Sequence, residues 1–182
     1  MLRSLSAARG ERAWVFDVVG ILAFTAITAI SAQLRIPMDP VPFTLQPLAV
    51  LLAGLFLGAR GGFLSQLLYV GLIALGAPID ANMRGAAALV GPTAGYLIGF
   101  AAAAFVVGLI YERGKTALWA FVGGLAGVLV IYAFGVPVLK FVANMEWNAA
   151  IASGVGFFIV WDIVKAAIAA ALVTGGRRLL GR

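Results

Sequence analysis

Cysteine and histidine are both absent from this 182-residue chain. The first absence excludes a disulfide framework and thiol chemistry. The second removes histidine metal ligands, histidine general bases and Ser-His triads together. Charge is scarce as well. Asp, Glu, Lys and Arg make up 11% of the residues, against roughly 25% in an ordinary soluble domain. Apolar residues fill the space, at 63% of the chain. A soluble protein of this composition could not find enough polar surface to cover itself, so the excess apolar surface needs lipid as its solvent. The net charge of +6 is no nucleic-acid signature. The basic residues gather at the ends of apolar runs, where they set membrane orientation.

A helix needs about 20 apolar residues to cross the hydrocarbon core. Six stretches qualify in whole or part: 13–34, 43–59, 62–75, 93–111, 117–139 and 149–174. The expectation is an all-α, polytopic membrane protein with six transmembrane helices in a single domain. The second and third stretches are short, which points to tilt or to burial within protein. The first has the basic start of a signal peptide (Arg3, Arg9, Arg12). Its apolar part outruns the usual 7–15 residues, so it reads as a retained helix.

With the N-terminus inside, the inner side carries Arg3, Arg9, Arg12, Arg60, Arg113, Lys115, Arg177, Arg178 and Arg182. The outer side has only Arg35, Arg84 and Lys140, and Lys165 is left within the last span. Nine against three favours cytoplasmic termini. The outer segments are longer and richer in proline and glycine, so the functional surface is expected there.

Three spans carry glycines four apart: Gly54/Gly58, Gly95/Gly99 and Gly123/Gly127. Such pairs let helix backbones approach closely. The first helix has a small-residue face of Thr25, Thr28, Ala29 and Ala32. Because this helix is the most peripheral in sequence, that face is expected to dock another membrane protein.

The last span reads FFIVWDIVKAAIAAAL. Asp162 and Lys165 are three residues apart, on one helix face and about a turn from each other. Ionisable groups at that depth face a cavity, a partner or a pathway. Two arrangements fit: a self-neutralising ion pair, or a ligand pocket with one acceptor and one cationic donor. Trp161 beside them is consistent with pocket or lipid. In the stretch IPMDPVPFTLQPL, four prolines prevent a regular helix through Pro42. It is either a stiff turn or a rigid lid, with Thr44 and Gln46 at the outer end of the second span. Pro92 lies at the opening of the fourth span, where helix-start N–H groups favour an anion. With Arg84 close in sequence, that end suits a carboxylate. The three segments together suggest a pocket for a compact ligand with a carboxylate and a hydrogen-bonding head.

Nucleotide machinery is missing. GLIYERGKT at Gly108–Thr116 is one residue too long for a P-loop and follows an apolar helix rather than a strand. Active transport would therefore draw on an ion gradient or a separate ATPase. An enzyme is disfavoured, because one buried acid without a metal or nucleophile is poor catalytic equipment. A purely structural subunit would tolerate loss of both Asp162 and Lys165.

Three segments resemble the BioY family, the biotin-binding S components of energy-coupling factor (ECF) transporters: AQLRIPMDPVPFTLQPLAVLLAGLFLGARGG, GPTAGYLIGF, and Asp162-Ile-Val-Lys165. The likeness runs from about Ala23 to Leu172. It departs at Val160 and Trp161, where the family pattern has proline and glycine. The resemblance implies an S-component bundle in a bacterial inner membrane that takes biotin from outside. It implies no cofactor, and partners in a transmembrane coupling protein and cytoplasmic ABC-type ATPases. By this similarity Asp162, Lys165, Arg84, Asn82, Tyr96 and Gln46 form the biotin site, and the helix-1 face docks the coupling protein. An S component for another vitamin or a metal is the neighbouring alternative.

Overall fold

The computed structural model describes the backbone of residues 2–179 and the side chains of residues 14–176. The side chains of Arg3, Arg9, Arg12, Arg177, Arg178 and Arg182, which enter the charge count above, lie outside the described residues. The elements in order are α1 (Leu2–Gln33), β1 (Arg35–Ile36), β2 (Phe43–Thr44), α2 (Gln46–Ala74), a 3-10 turn (Gly85–Val90), α3 (Ala94–Gly114), α4 (Ala117–Val142), α5 (Trp147–Ile151), a π-helical turn (Ala152–Gly156) and α6 (Phe158–Leu179).

The two short apolar stretches expected as separate spans form one hydrogen-bonded element, α2, broken at Gly58. The break is a reversal. In a straight helix, residues 46 and 69 would be about 34 Å apart at 1.5 Å per residue. Instead Gln46 Nε2 donates to the Tyr69 hydroxyl at 2.8 Å. Gly62 packs against the backbone of Gly54, where an added Cβ would come 2.9 Å from the Gly54 Cα. The halves 46–57 and 59–74 are therefore antiparallel. Gly58 makes the turn possible because its φ of 73° is one that residues with a Cβ rarely adopt. The Glu112 carboxylate of α3 then accepts the Ala59 N–H at 2.9 Å and caps the second half. Counting both halves of α2 with α1, α3, α4 and α6, six apolar segments make up the bundle.

The core is built where α2, α3 and α4 meet, around Val50, Leu51, Val107, Ile131 and Leu139. The glycine pairs serve this packing. Gly54 abuts Ala104 and Val107, Gly95 and Gly99 abut Phe134, and Gly123 and Gly127 abut Val107. Large apolar side chains such as Phe56, Leu64, Leu129, Phe134 and Leu172 point outward, as a lipid-facing surface requires.

The small-residue face of α1 is not an outward docking face. Thr28 and Ala32 are fully buried, and Thr25 is buried as well. The Thr25 hydroxyl lies 2.9 Å from the carbonyls of both Ile21 and Ser65. Thr28 donates to the Phe24 carbonyl at 2.8 Å and accepts from Gln66 Nε2 at 3.1 Å. Hydroxyls at membrane depth need partners. The second half of α2 supplies them in Ser65 and Gln66, so α1 is rotated with its threonines inward. Its outward face carries Phe16, Val19, Leu22 and Ile30.

Candidate functional site

The proline-rich stretch becomes a short antiparallel ribbon, with Arg35 opposite Thr44 and Ile36 opposite Phe43. It lies across one end of the bundle. Beneath it is a cavity of about 620 Å³, counting its open mouth. The walls come from the ribbon, the loop after α2, α3, α4, the π-helical turn and α6. Apolar side chains such as Leu97, Phe100, Ile131 and Phe158 cover most of it, and the polar groups are concentrated at two ends.

The inner end is organised by Asp162 and Lys165. Both are buried, both line the cavity, and they form an ion pair at 2.8 Å. Lys165 Nζ also donates to the Thr44 carbonyl at 2.9 Å and lies 4.2 Å from the centre of the Phe43 ring. One lysine therefore ties α6 to the ribbon. The other carboxylate oxygen of Asp162 accepts from the Tyr132 hydroxyl of α4 at 2.5 Å. Pairing and pocket, which the sequence left as alternatives, are combined: the two groups are paired and also face the cavity.

The arrangement leaves hydrogen-bonding capacity unused. A lysine ammonium has three N–H donors; two are spent on Asp162 and Thr44. A carboxylate offers about four lone-pair sites, of which Lys165 and Tyr132 take one each. A free donor and free acceptors therefore stand side by side in a largely apolar chamber.

The outer end is shaped by Asp80. Its carboxylate accepts from the backbone N–H groups of Asn82 at 3.0 Å, Arg84 at 2.6 Å and Gly85 at 2.8 Å. This folds the loop so that Asn82 lines the mouth. Tyr69 braces the loop from below by donating to the Ile79 carbonyl at 3.0 Å while accepting from Gln46. Gln46 is buried in the wall and bonded to Thr44 as well. Tyr96 also lines the cavity, and its hydroxyl donates to the Gly154 carbonyl in the π-helical turn at 3.1 Å.

Five of the six residues expected at the site thus surround one cavity: Asp162, Lys165, Gln46, Asn82 and Tyr96. Arg84 is not among its walls. The Asp80 turn holds the Arg84 backbone, and the guanidinium lies over Gly91, just before the start of α3. Trp161 also points outward, half-exposed, with its ring edge-on to Phe43. Sequence reading missed Tyr132, Tyr69 and Asp80. A tyrosine inside an apolar span looks like packing, and nothing in the order of residues links position 132 to 162. For Asp80 a signal existed, since an aspartate in a loop often accepts the backbone N–H two residues on, as it does here from Asn82.

The sequence matches the BioY family over residues 5–182. It is 42% identical to the biotin transporter BioY of Thermotoga maritima over 157 residues, covering 86% of this chain and 92% of that one. It is 45% identical to a probable biotin transporter BioY of Pyrococcus horikoshii over 155 residues, covering 84% and 91%. The fold superposes on the crystal structure of the S-component for biotin from an ECF-type ABC transporter with a TM-score of 0.82. That match has 27% identity and 94% of each chain covered. A match along nearly the whole length, in sequence and in fold, makes this chain a member of the BioY family.

Proposed function

We propose that this chain is a membrane-embedded biotin-binding subunit that captures the vitamin from outside and passes it inward with separate partners. The observation that carries the reading is the Asp162–Lys165 pair at the inner end of the cavity. A cyclic urea presents N–H donors beside a carbonyl acceptor. The unused lone pairs of Asp162 suit the N–H groups, and the unused Lys165 donor suits the oxygen. The fused rings and aliphatic tail of biotin match the apolar walls at Leu97, Phe100 and Phe158. A site built to hydrogen-bond its ligand rejects analogues that leave its buried groups unpaired, so selectivity is expected from this end.

The chain is a multi-pass membrane protein. Its termini are cytoplasmic on this reading, supported by the basic residues Arg60, Arg113 and Lys115 at the turns farthest from the cavity. The cavity then opens outward. The partners are a coupling protein in the membrane and ATPases beneath it. Their docking is supported by the exposure of α1, which packs almost wholly against α2. The outward face around Leu22, Ala23, Ala26 and Ile30 takes the role first assigned to Thr25, Thr28, Ala29 and Ala32.

Titration of the purified chain with biotin, with thiamine and riboflavin as controls, tests the proposal. Binding of biotin alone, near one per chain, supports it. Binding of another vitamin in its place would keep the carrier and overturn the ligand.

A further inference from the structure

We propose that Arg35, on the ribbon over the cavity, binds the carboxylate of the ligand and makes the site selective for an anionic tail. The inference rests on the biotin reading and adds the group that recognises the charged end. Inside the cavity, two carboxylates, Asp80 and Asp162, face one ammonium, Lys165. That balance repels a second anion, so a ligand carboxylate belongs at the mouth and needs a cation there. The Arg84 guanidinium lies over Gly91, outside the cavity wall. Arg35 is bracketed by two wall residues: it pairs across the ribbon with Thr44 and donates to the Asn82 side-chain carbonyl. Among the described residues it has no acidic partner. A guanidinium carries five N–H donors in a fork that fits a carboxylate with two parallel bonds, and the Asn82 contact leaves such a fork available.

The test compares biotin with biotinamide, whose tail is neutral, on the wild-type chain and on Arg35→Gln, by calorimetric titration. Arg35→Gln is expected to weaken biotin about 10-fold, as loss of a partly exposed charge-assisted contact does, and to leave biotinamide unchanged. Equal loss for both ligands would mean that Arg35 only latches the loop through Asn82, and would overturn the role. No loss for either would overturn it too. Arg84→Gln is expected to change neither affinity; a biotin-specific loss there would reassign the carboxylate to Arg84. On the wild-type chain alone, raising salt from about 0.05 to 0.5 M should weaken biotin and spare biotinamide, since a rim contact is screened. Salt independence counts against the proposal even if the variant cannot be purified. If the wild-type chain binds neither ligand, the biotin reading itself falls, and Arg35 with it. If it binds both and only the charge dependence is missing, the biotin reading stands and Arg35 alone is wrong.

Discussion

Replacing Lys165 by methionine is the sharpest perturbation of the inner end. The side chains are similar in length, so the packing against Phe43 is largely kept while the charge is lost. Asp162 would then be a buried carboxylate, 3% exposed, with only the Tyr132 hydroxyl left to compensate it. Removing one partner of a buried pair costs about 3–5 kcal/mol, whereas replacing both by apolar groups is often neutral or better. Two measurements follow. In thermal or denaturant unfolding in detergent, Lys165→Met should lose much of that stability, and adding Asp162→Leu should restore most of it. In biotin titration there should be no restoration. A hydrogen bond to a charged group is worth about 1.5–3 kcal/mol, so each single variant should bind roughly 10- to 150-fold more weakly and the double variant more weakly still. Stability and binding therefore move in opposite directions between the single and double variants. If the double variant is less stable than Lys165→Met, the pair is a net structural asset and the energetic argument is wrong. If it binds biotin like the wild type, the inner end is not the recognition site.

Tyr132→Phe removes one hydroxyl and should weaken biotin about 10-fold through Asp162 alone. In an Asp162→Asn background the same change should cost clearly less, and additive losses in a double-mutant cycle would show that Tyr132 acts independently. Gly58→Ala places a Cβ at φ 73°, directly against the Glu112 carboxylate that caps the second half of α2. It should destabilise the hairpin by about 1–3 kcal/mol with little change in the affinity of whatever folds, as read by unfolding and titration together. Glu112→Gln, which keeps an acceptor for the Ala59 N–H, should cost less than Gly58→Ala.

Some of this molecule was legible before any coordinates. Six apolar runs separated by short polar breaks predict six membrane segments, because the cost of lipid-exposed charge and the thickness of the bilayer act on each run by itself. Asp162 and Lys165 stand out for the same local reason. An ionisable pair inside an apolar helix must find partners, and spacing alone puts the two on one face. Pro37, Pro40 and Pro42 announce a non-helical stretch ahead of the second span, and Pro47 suits the first turn of the helix that follows. These are one-dimensional facts, carried by composition, period and backbone chemistry.

Direction is what the sequence could not supply. The small-residue stripe of α1 was visible, but whether it faces a partner or its own bundle depends on Ser65 and Gln66, some 40 residues away. Arg84 and Arg35 look alike as outer-loop arginines; folding lays the first over Gly91 at the start of α3 and sets the second opposite Thr44 in the ribbon, bonded to Asn82. Tyr132 had no sequence signal, since its hydroxyl matters only because α4 passes α6 at the level of Asp162. By itself the sequence determined the membrane class, the six apolar segments and the presence of two ionisable residues on one face of the last of them. The tertiary structure decided which side chains share a cavity, because that depends on helix rotation and loop geometry, set by contacts between residues far apart in the chain.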